Sequence, residues 1–104
     1  MTTSVVIPAY KGKELLQKNL PAIAKLGAGE IIIVDDASPD GTSDFLQKEY
    51  PKIKVIHHAT NTRFPTSVND GFKASSGDIV LLLNQDTAPD PQALKKVIHH
   101  FQDP

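Results

Sequence analysis

Two groups of acidic and amide side chains stand directly behind apolar runs in this chain. Asp35 and Asp36 follow Glu30–Val34, and Asn84, Gln85 and Asp86 follow Asp78–Leu83. A buried strand does not require carboxylates at its end. Two side by side repel one another unless a helix N-terminus, a hydrogen-bond donor on a ligand or a metal cation compensates. The chemistry on offer is acceptance of hydrogen bonds by the Asp35-Asp36 pair, and oxygen donation by Asp86 to a hard divalent cation that also holds a diphosphate. Each loop also has a plain structural reading. Asp35 or Asp36 caps the next helix, Ser38-Pro39-Asp40-Gly41 is a simple turn, and Asp86 caps the helix introduced by Pro89 and Pro91.

The elements that must position these groups alternate in type. Ser4–Pro8 reads as a short buried strand closed by proline, followed by a turn around Gly12. Leu15, Leu16, Leu20, Ile23, Ala24 and Leu26 recur at helical spacing, with Pro21 predicting a kink or a break. Glu30–Val34 is a strand buried on both faces. Ser43 or Thr42 is expected to cap a second helix carrying Phe45, Leu46 and Tyr50, which Pro51 stops. Lys54–His57 is a third strand, followed by a polar loop from His58 to Pro65. Thr66–Ser75 is a helix expected to face Val68, Phe72 and Ala74 inward. Asp78–Leu83 is a fourth strand and Gln92–Phe101 a last helix. This order predicts an α/β fold: a Rossmann-like three-layer sandwich with a mostly parallel sheet of about four strands and flanking helices. In such sheets ligands bind outside the carboxyl ends of the strands. Three polar loops meet there: Pro8–Lys11, Asp35–Thr42 and Asn84–Thr87.

Composition excludes several other chemistries. The 104 residues, 39% hydrophobic and 22% charged, suffice for one small domain over 1–104. A formal net charge of −1 argues against nucleic acid as a partner. Cysteine is absent, which removes disulfides, thiolate metal sites and a cysteine nucleophile and fits a cytoplasmic location. No run approaches the ~20 apolar residues that span a bilayer. His57-His58 and His99-His100 do not have zinc spacing, because neighbours on a strand face opposite ways and helical ligand pairs favour i,i+4.

In order, Ser4-Val-Val-Ile-Pro-Ala-Tyr10, Ile31-Ile-Ile-Val-Asp-Asp-Ala-Ser-Pro-Asp-Gly-Thr42, Asn61-Thr-Arg-Phe64, Asn69-Asp-Gly71 and Ser76-Gly-Asp-Ile-Val-Leu-Leu-Leu-Asn-Gln-Asp-Thr87 resemble the successive signatures of family 2 glycosyltransferases. The resemblance implies the GT-A fold and transfer of a sugar, generally with inversion, from a nucleotide diphosphate sugar, most simply a UDP- or dTDP-sugar. It implies that Pro8 and Tyr10 line the nucleobase pocket and that Asp36 accepts a hydrogen bond from the base, while Asp35 steadies the loop. Asn84 would touch the ribose or sugar, and Asp86 would hold Mg2+ or Mn2+. Asn84 stands where the family's Asp-x-Asp motif has its first acid, and one negative charge fewer weakens metal binding. Arg63 is placed to reach the donor phosphates, or is an exposed loop arginine. Asn69 lies on the helix before the fourth strand, as a nucleotide contact or a surface amide.

No credible catalytic base is present. In this family it lies well downstream of the metal motif, and Asp90 and Asp103 serve a turn and a chain end. The expectation is an incomplete GT-A domain that binds donor without efficient transfer. It would associate with a membrane only through missing parts and could self-associate through its truncated edge. The alternative is a non-catalytic nucleotide-binding or receiver-like signalling module. Receivers, however, carry an acidic pair after the first strand and an aspartate after the third, where this chain has Pro8-Ala9-Tyr10 and His57-His58.

Overall fold

A computed structural model describes residues 2–102, with the side chains of residues 100–102 left aside. Asp103, expected at a chain end, and the His100 ring lie outside the described residues. The chain runs β1 (Thr3–Ala9), α1 (Lys13–Ala24), β2 (Glu30–Asp35), α2 (Thr42–Glu49), β3 (Lys54–His57), α3 (Phe64–Ala74), β4 (Ile79–Leu82) and α4 (Ala93–Gln102). The four strands form one parallel sheet in the order β3-β2-β1-β4. The carboxyl ends of β1, β2 and β4 therefore open on the same edge, where the three polar loops leave them.

Strand periodicity divides β1 and β2 between two faces. Val5, Ile7 and Ala9 of β1 and Ile33 of β2 pack with Leu16, Leu20 and Ile23 of α1, Leu46 of α2 and Leu94 of α4. Val6, Ile32 and Val34 form the opposite face, with Ala74 of α3 packed against them. Each fully buried aliphatic side chain contributes about 2 kcal/mol by leaving water. On that second face β4 is an edge strand and leaves Val80 and Leu82 more than one-third exposed.

α3 meets the sheet through small residues. A Cβ on Gly71 would stand 2.3 Å from Val6 Cγ1 and 3.3 Å from Val34 Cγ2. Ser67, Gly71 and Ala74 share one side of the helix at i, i+4 and i+7 spacing. That stripe takes the inward position expected for Phe72, which is 43% exposed. Phe72 lies one residue, roughly 100°, round the helix from Gly71 and is carried off the sheet.

Three further expectations change. α1 runs unbroken through Pro21. The proline is exposed, and so is Gln17, whose carbonyl loses its helical partner and can take water instead. α2 has no side-chain cap: Gly41, in the left-handed region at φ 80°, precedes it. Thr42 Oγ1 donates instead to Asp40, and Ser43 Oγ to Asp35. α3 begins at Phe64 rather than Thr66, with Pro65 inside its first turn, where a missing N–H costs nothing.

Candidate functional site

A cavity of about 310 Å³ opens at the carboxyl ends of β1, β2 and β4. Its lining brings together Pro8 near the end of β1, Tyr10 behind β1, Asp36 behind β2, Ser67 on α3, and Asn84 and Asp86 behind β4. Five of the seven residues singled out from the sequence thus meet in one place. The other two do not line it. Arg63 precedes α3 and offers its backbone rather than its side chain to Asp36, and Asn69 is exposed on α3.

The two aspartates behind β2 face different partners. Asp35 is fully buried and is used up holding its own loop: Ser38 N–H donates to Oδ1 at 3.0 Å, and Ser43 Oγ–H donates to Oδ2. The His57 ring lies 3.4 Å from Oδ2. Asp36, 5% exposed, is held differently. Its Oδ1 accepts from Thr62 N–H and Thr62 Oγ–H, both at 2.7 Å, and from His58 Nδ1–H at 2.9 Å. Among the described residues Oδ2 accepts only from Arg63 N–H, at 2.8 Å. A carboxylate offers about four lone-pair sites, so Oδ2 keeps capacity for one more donor.

Burial alone would push the Asp36 carboxyl up. The donors from Thr62, His58 and Arg63 outweigh that and bring it down to about 2 from the ordinary 3.8. In the unfolded chain this carboxyl binds more protons between those two values. Its contribution to stability is therefore full above pH 3.8 and is lost as the pH falls through about 2. Urea denaturation across that window should show stability falling toward acid more steeply in the wild type than in Asp36→Asn.

Gln85, the middle residue of Asn84-Gln85-Asp86, joins two of the loops. Its amide oxygen accepts from Tyr10 N–H and its amide nitrogen donates to Tyr10 C=O, each at 3.0 Å. Asn19 of α1 donates to the Gln85 carbonyl at 3.2 Å. A Cβ on Gly12 would fall 2.1 Å from Gln85 Oε1, so only glycine leaves room for this clamp. The Tyr10 ring stays partly exposed, with Lys11 Nζ 5.5 Å from its centroid.

Among the described residues three non-glycine residues adopt positive φ: Lys11 at 51°, Ala37 at 61° and Arg63 at 75°. Each adjoins a residue of the site. Such strain persists only where surrounding contacts over-determine it. Arg63, with ψ 166°, sits in a region populated almost only by glycine. Replacing it by glycine should therefore raise stability by about 1 kcal/mol net of glycine's unfolded-state entropy, measured by denaturant unfolding. Asp36 takes only the backbone N–H, so any loss of ligand affinity in Arg63→Gly reports on the guanidinium alone.

Residues that pattern reading passed over complete the site. Ser67 is 1% exposed, lines the cavity, and its hydroxyl has no hydrogen-bond partner among the described residues. His58, Thr62 and Asp70 hold Asp36 from behind. Ser67, Asp70, Gly71 and Ala74 fall at i, i+3, i+4 and i+7, so the inward stripe of α3 was present in the sequence but lacks large apolar residues. His57 and His58 turn to opposite sides and take different carboxylates.

Among the described residues no three His, Asp or Glu side chains converge as a metal cage. Asp86 is an exposed carboxylate at the cavity's rim, with the amide of Asn84 also on its wall. That donor set suits Mg2+ or Mn2+ held by one carboxylate together with the oxygens of a bound diphosphate.

A parallel α/β sheet with a ligand-sized cavity of mixed polar and apolar lining outside its carboxyl edge is the arrangement in which open α/β sheets bind ligands. Residues 4–104 match the profile of glycosyl transferase family 2, and the chain belongs to that family. It is similar to dolichol-phosphate mannosyltransferase from Pyrococcus furiosus, 35% identical over an alignment 104 residues long that covers 94% of this chain and 29% of that protein. The crystal structure of S. aureus TarS in complex with UDP-GlcNAc superposes with a TM-score of 0.87 at 27% identity, covering 99% of this chain and 32% of that one. A structure of glucosyl-3-phosphoglycerate synthase from Mycobacterium tuberculosis with Mn2+, UDP and glucosyl-3-phosphoglycerate gives 0.79 at 21% identity, covering 98% of this chain and 40% of that one. The fold is of the Rossmann-like GT-A type shared with these structures. The chain spans about a third of the length of the proteins it matches. Among its described residues no helix is long and apolar enough to cross a membrane.

Proposed function

We propose that the cavity binds the nucleotide of a UDP- or dTDP-sugar, and that this chain is the donor-binding part of an inverting glycosyltransferase. The observation that carries the reading is Asp36: an ionised carboxylate with one oxygen saturated and the other left with a free acceptor site on the cavity wall. A group that only accepts fits the imide N–H of uracil or thymine. The imide is flanked by two carbonyls, and the unpartnered Ser67 hydroxyl on the same wall supplies a donor for one of them. Tyr10 and Pro8 offer flat apolar surface to the base, and Asn84 a hydrogen-bonding amide to the ribose. TarS, with the same fold over 99% of this chain, has been crystallised with UDP and with UDP-GlcNAc.

Asp86 would hold the divalent cation, which when bound neutralises charge on the diphosphate leaving group. The protein's own groups orient the donor: Asp36 fixes the base, and the Gln85–Tyr10 clamp fixes the two loops that flank it, while Arg63, exposed in the loop before α3, is the candidate phosphate contact. No side chain in the cavity is placed as a base for an acceptor hydroxyl. Asp36 is held ionised by four donors and Asp86 is assigned to the metal. Binding of donor without efficient transfer is the activity expected of these 104 residues.

Thermal unfolding with UDP or dTDP, with and without Mn2+, tests this directly, because a ligand that binds only the folded state raises its stability. Both nucleotides should raise the melting temperature, and Mn2+ should add to the shift. Asp86→Ala should remove the Mn2+-dependent increment and keep the rest. Absence of any shift with either nucleotide would sink the proposal, and an unchanged Mn2+ increment in Asp86→Ala would remove that residue from the metal.

A further inference from the structure

The ring of His58 is wedged between two carboxylates from different elements. Nδ1 lies 2.9 Å from Asp36 Oδ1, and Nε2 lies 2.8 Å from Asp70 Oδ2 on α3. The side chain is 12% exposed, and Thr62 Oγ1 lies 2.9 Å from Nδ1. The backbone N–H of His58 donates to Asp35 C=O at 2.9 Å, which pins the residue to the end of β2. Thr62 has one hydroxyl hydrogen, and it is directed at Asp36. Its oxygen can then only accept from Nδ1.

Both ring nitrogens therefore face acceptors. A neutral imidazole has one N–H and one lone pair, so it would turn a lone pair toward a carboxylate on one side or the other. Only the imidazolium satisfies both contacts at once. Asp36 and Asp70 are the charged groups that face the ring from the elements packed against it, one behind β2 and one on α3. The hydrogen bond to Asp36 raises the proton affinity of His58 above its ordinary value, burial opposes this, and Asp70 adds to the rise.

The geometry points to His58 as the positioning residue for the base-reading carboxylate, clamped to α3 by Asp70, so that recognition of the base is coupled to protonation of the ring. While both N–H groups are present, Oδ1 of Asp36 is fixed and the carboxylate keeps its place on the cavity wall, with the spare acceptor site on Oδ2. Loss of one proton sets a nitrogen lone pair against Asp36 or Asp70. Asp36 then keeps only Thr62 N–H, Thr62 Oγ–H and Arg63 N–H and is held less firmly, or α3, which carries Ser67, shifts from the cavity wall. His58 touches no ligand in this scheme and acts through Asp36. The inference rests on the reading of Asp36 as the residue that accepts the imide N–H.

Uridine is the suitable probe, because it carries the imide and no titrating phosphate. The His58 ring is followed by its nitrogen chemical shifts in NMR titrations of the full chain between about pH 6 and pH 9, with and without uridine. Wild-type affinity should fall about tenfold as the pH rises through the titration of His58. By reciprocity, saturating uridine should raise the apparent pKa of the ring by about one unit, the same factor of ten. His58→Gln should bind uridine weakly with a flat pH profile over this range. Asp70→Asn keeps an acceptor for Nε2 but removes a charge, so it should move the midpoint to lower pH while retaining the low-pH affinity.

If the wild type binds uridine equally across the range, or if the midpoint in Asp70→Asn does not move, the clamp is overturned and the base-reading role of Asp36 survives. If the wild type binds no uridine at any pH, the base-reading site itself fails and the inference falls with it. Should His58→Gln fail to fold, Asp70→Asn alone decides.

Discussion

Asp36→Ala is expected to abolish the stabilisation of this protein by UDP and to lower its unliganded stability by about 3 kcal/mol. Both effects come from one carboxylate. In the folded chain it accepts from Thr62 N–H, Thr62 Oγ–H, His58 Nδ1–H and Arg63 N–H. Alanine leaves those donors without an acceptor in a place that is 95% shielded in the wild type, since Asp36 itself is only 5% exposed. It also leaves the His58 ring with Asp70 as its remaining carboxylate partner. Water entering from the cavity recovers part of the loss, which keeps the cost below that of a fully buried unpaired charge. Removing a charged acceptor from the base should weaken UDP binding by about a hundredfold. Urea denaturation and calorimetric titration read the two losses separately. A variant that keeps wild-type affinity would show that Asp36 is a structural hub and nothing more.

Gly71→Val is expected to cost about 3 kcal/mol, and to weaken nucleotide binding although Gly71 lines no part of the cavity. The Cβ alone would stand 2.3 Å from Val6 Cγ1, on a central strand whose residues are all buried. Val6 and Val34 are β-branched and have no spare rotamer with which to withdraw. The helix must therefore move away from the sheet. α3 carries Ser67 onto the cavity wall and Asp70 onto His58, and its first residue follows Arg63, whose N–H meets Asp36. Displacing it disturbs each of these contacts together. Urea denaturation measures the stability loss. Equal destabilisation with unchanged affinity for UDP would show that α3 does not set the geometry of the site.

Much of this arrangement could be read from the residues. The apolar runs before Pro8, Asp35 and Asn84 define the strands, and the alternation of elements leads to a parallel sheet with its loops on one edge. Pro8, Tyr10, Asp36, Asn84 and Asp86 meet on the wall of one cavity because each directly follows or ends such a strand. What pattern reading could not supply were contacts set by tertiary packing. A helix that approaches a sheet through Ser67, Gly71 and Ala74 has no apolar stripe to betray its inner face, so Phe72 was the residue expected there. The side-chain partners of Asp36 come from the loop after β3, with Asp70 of α3 behind His58, and no spacing rule links Asp36 to His58, Thr62 and Asp70. Gln85 occupies the unspecified middle position of its motif, yet its amide ties Tyr10 to the loop after β4. The α2 cap failed for a local reason: Thr42 and Ser43 spend their hydroxyls on Asp40 and Asp35 rather than on the helix.

The central claim is that this cavity reads a pyrimidine imide through Asp36. Calorimetric titration of the protein with UDP and with CDP, in one metal-containing buffer, tests it most directly. The two ligands share ribose and diphosphate and differ on the edge of the base. Uracil presents an N–H where cytosine presents a lone pair, which a carboxylate repels. A site built around that hydrogen bond should bind UDP at least about tenfold more tightly than CDP. Equal affinity for the two, or binding of neither, would contradict the account.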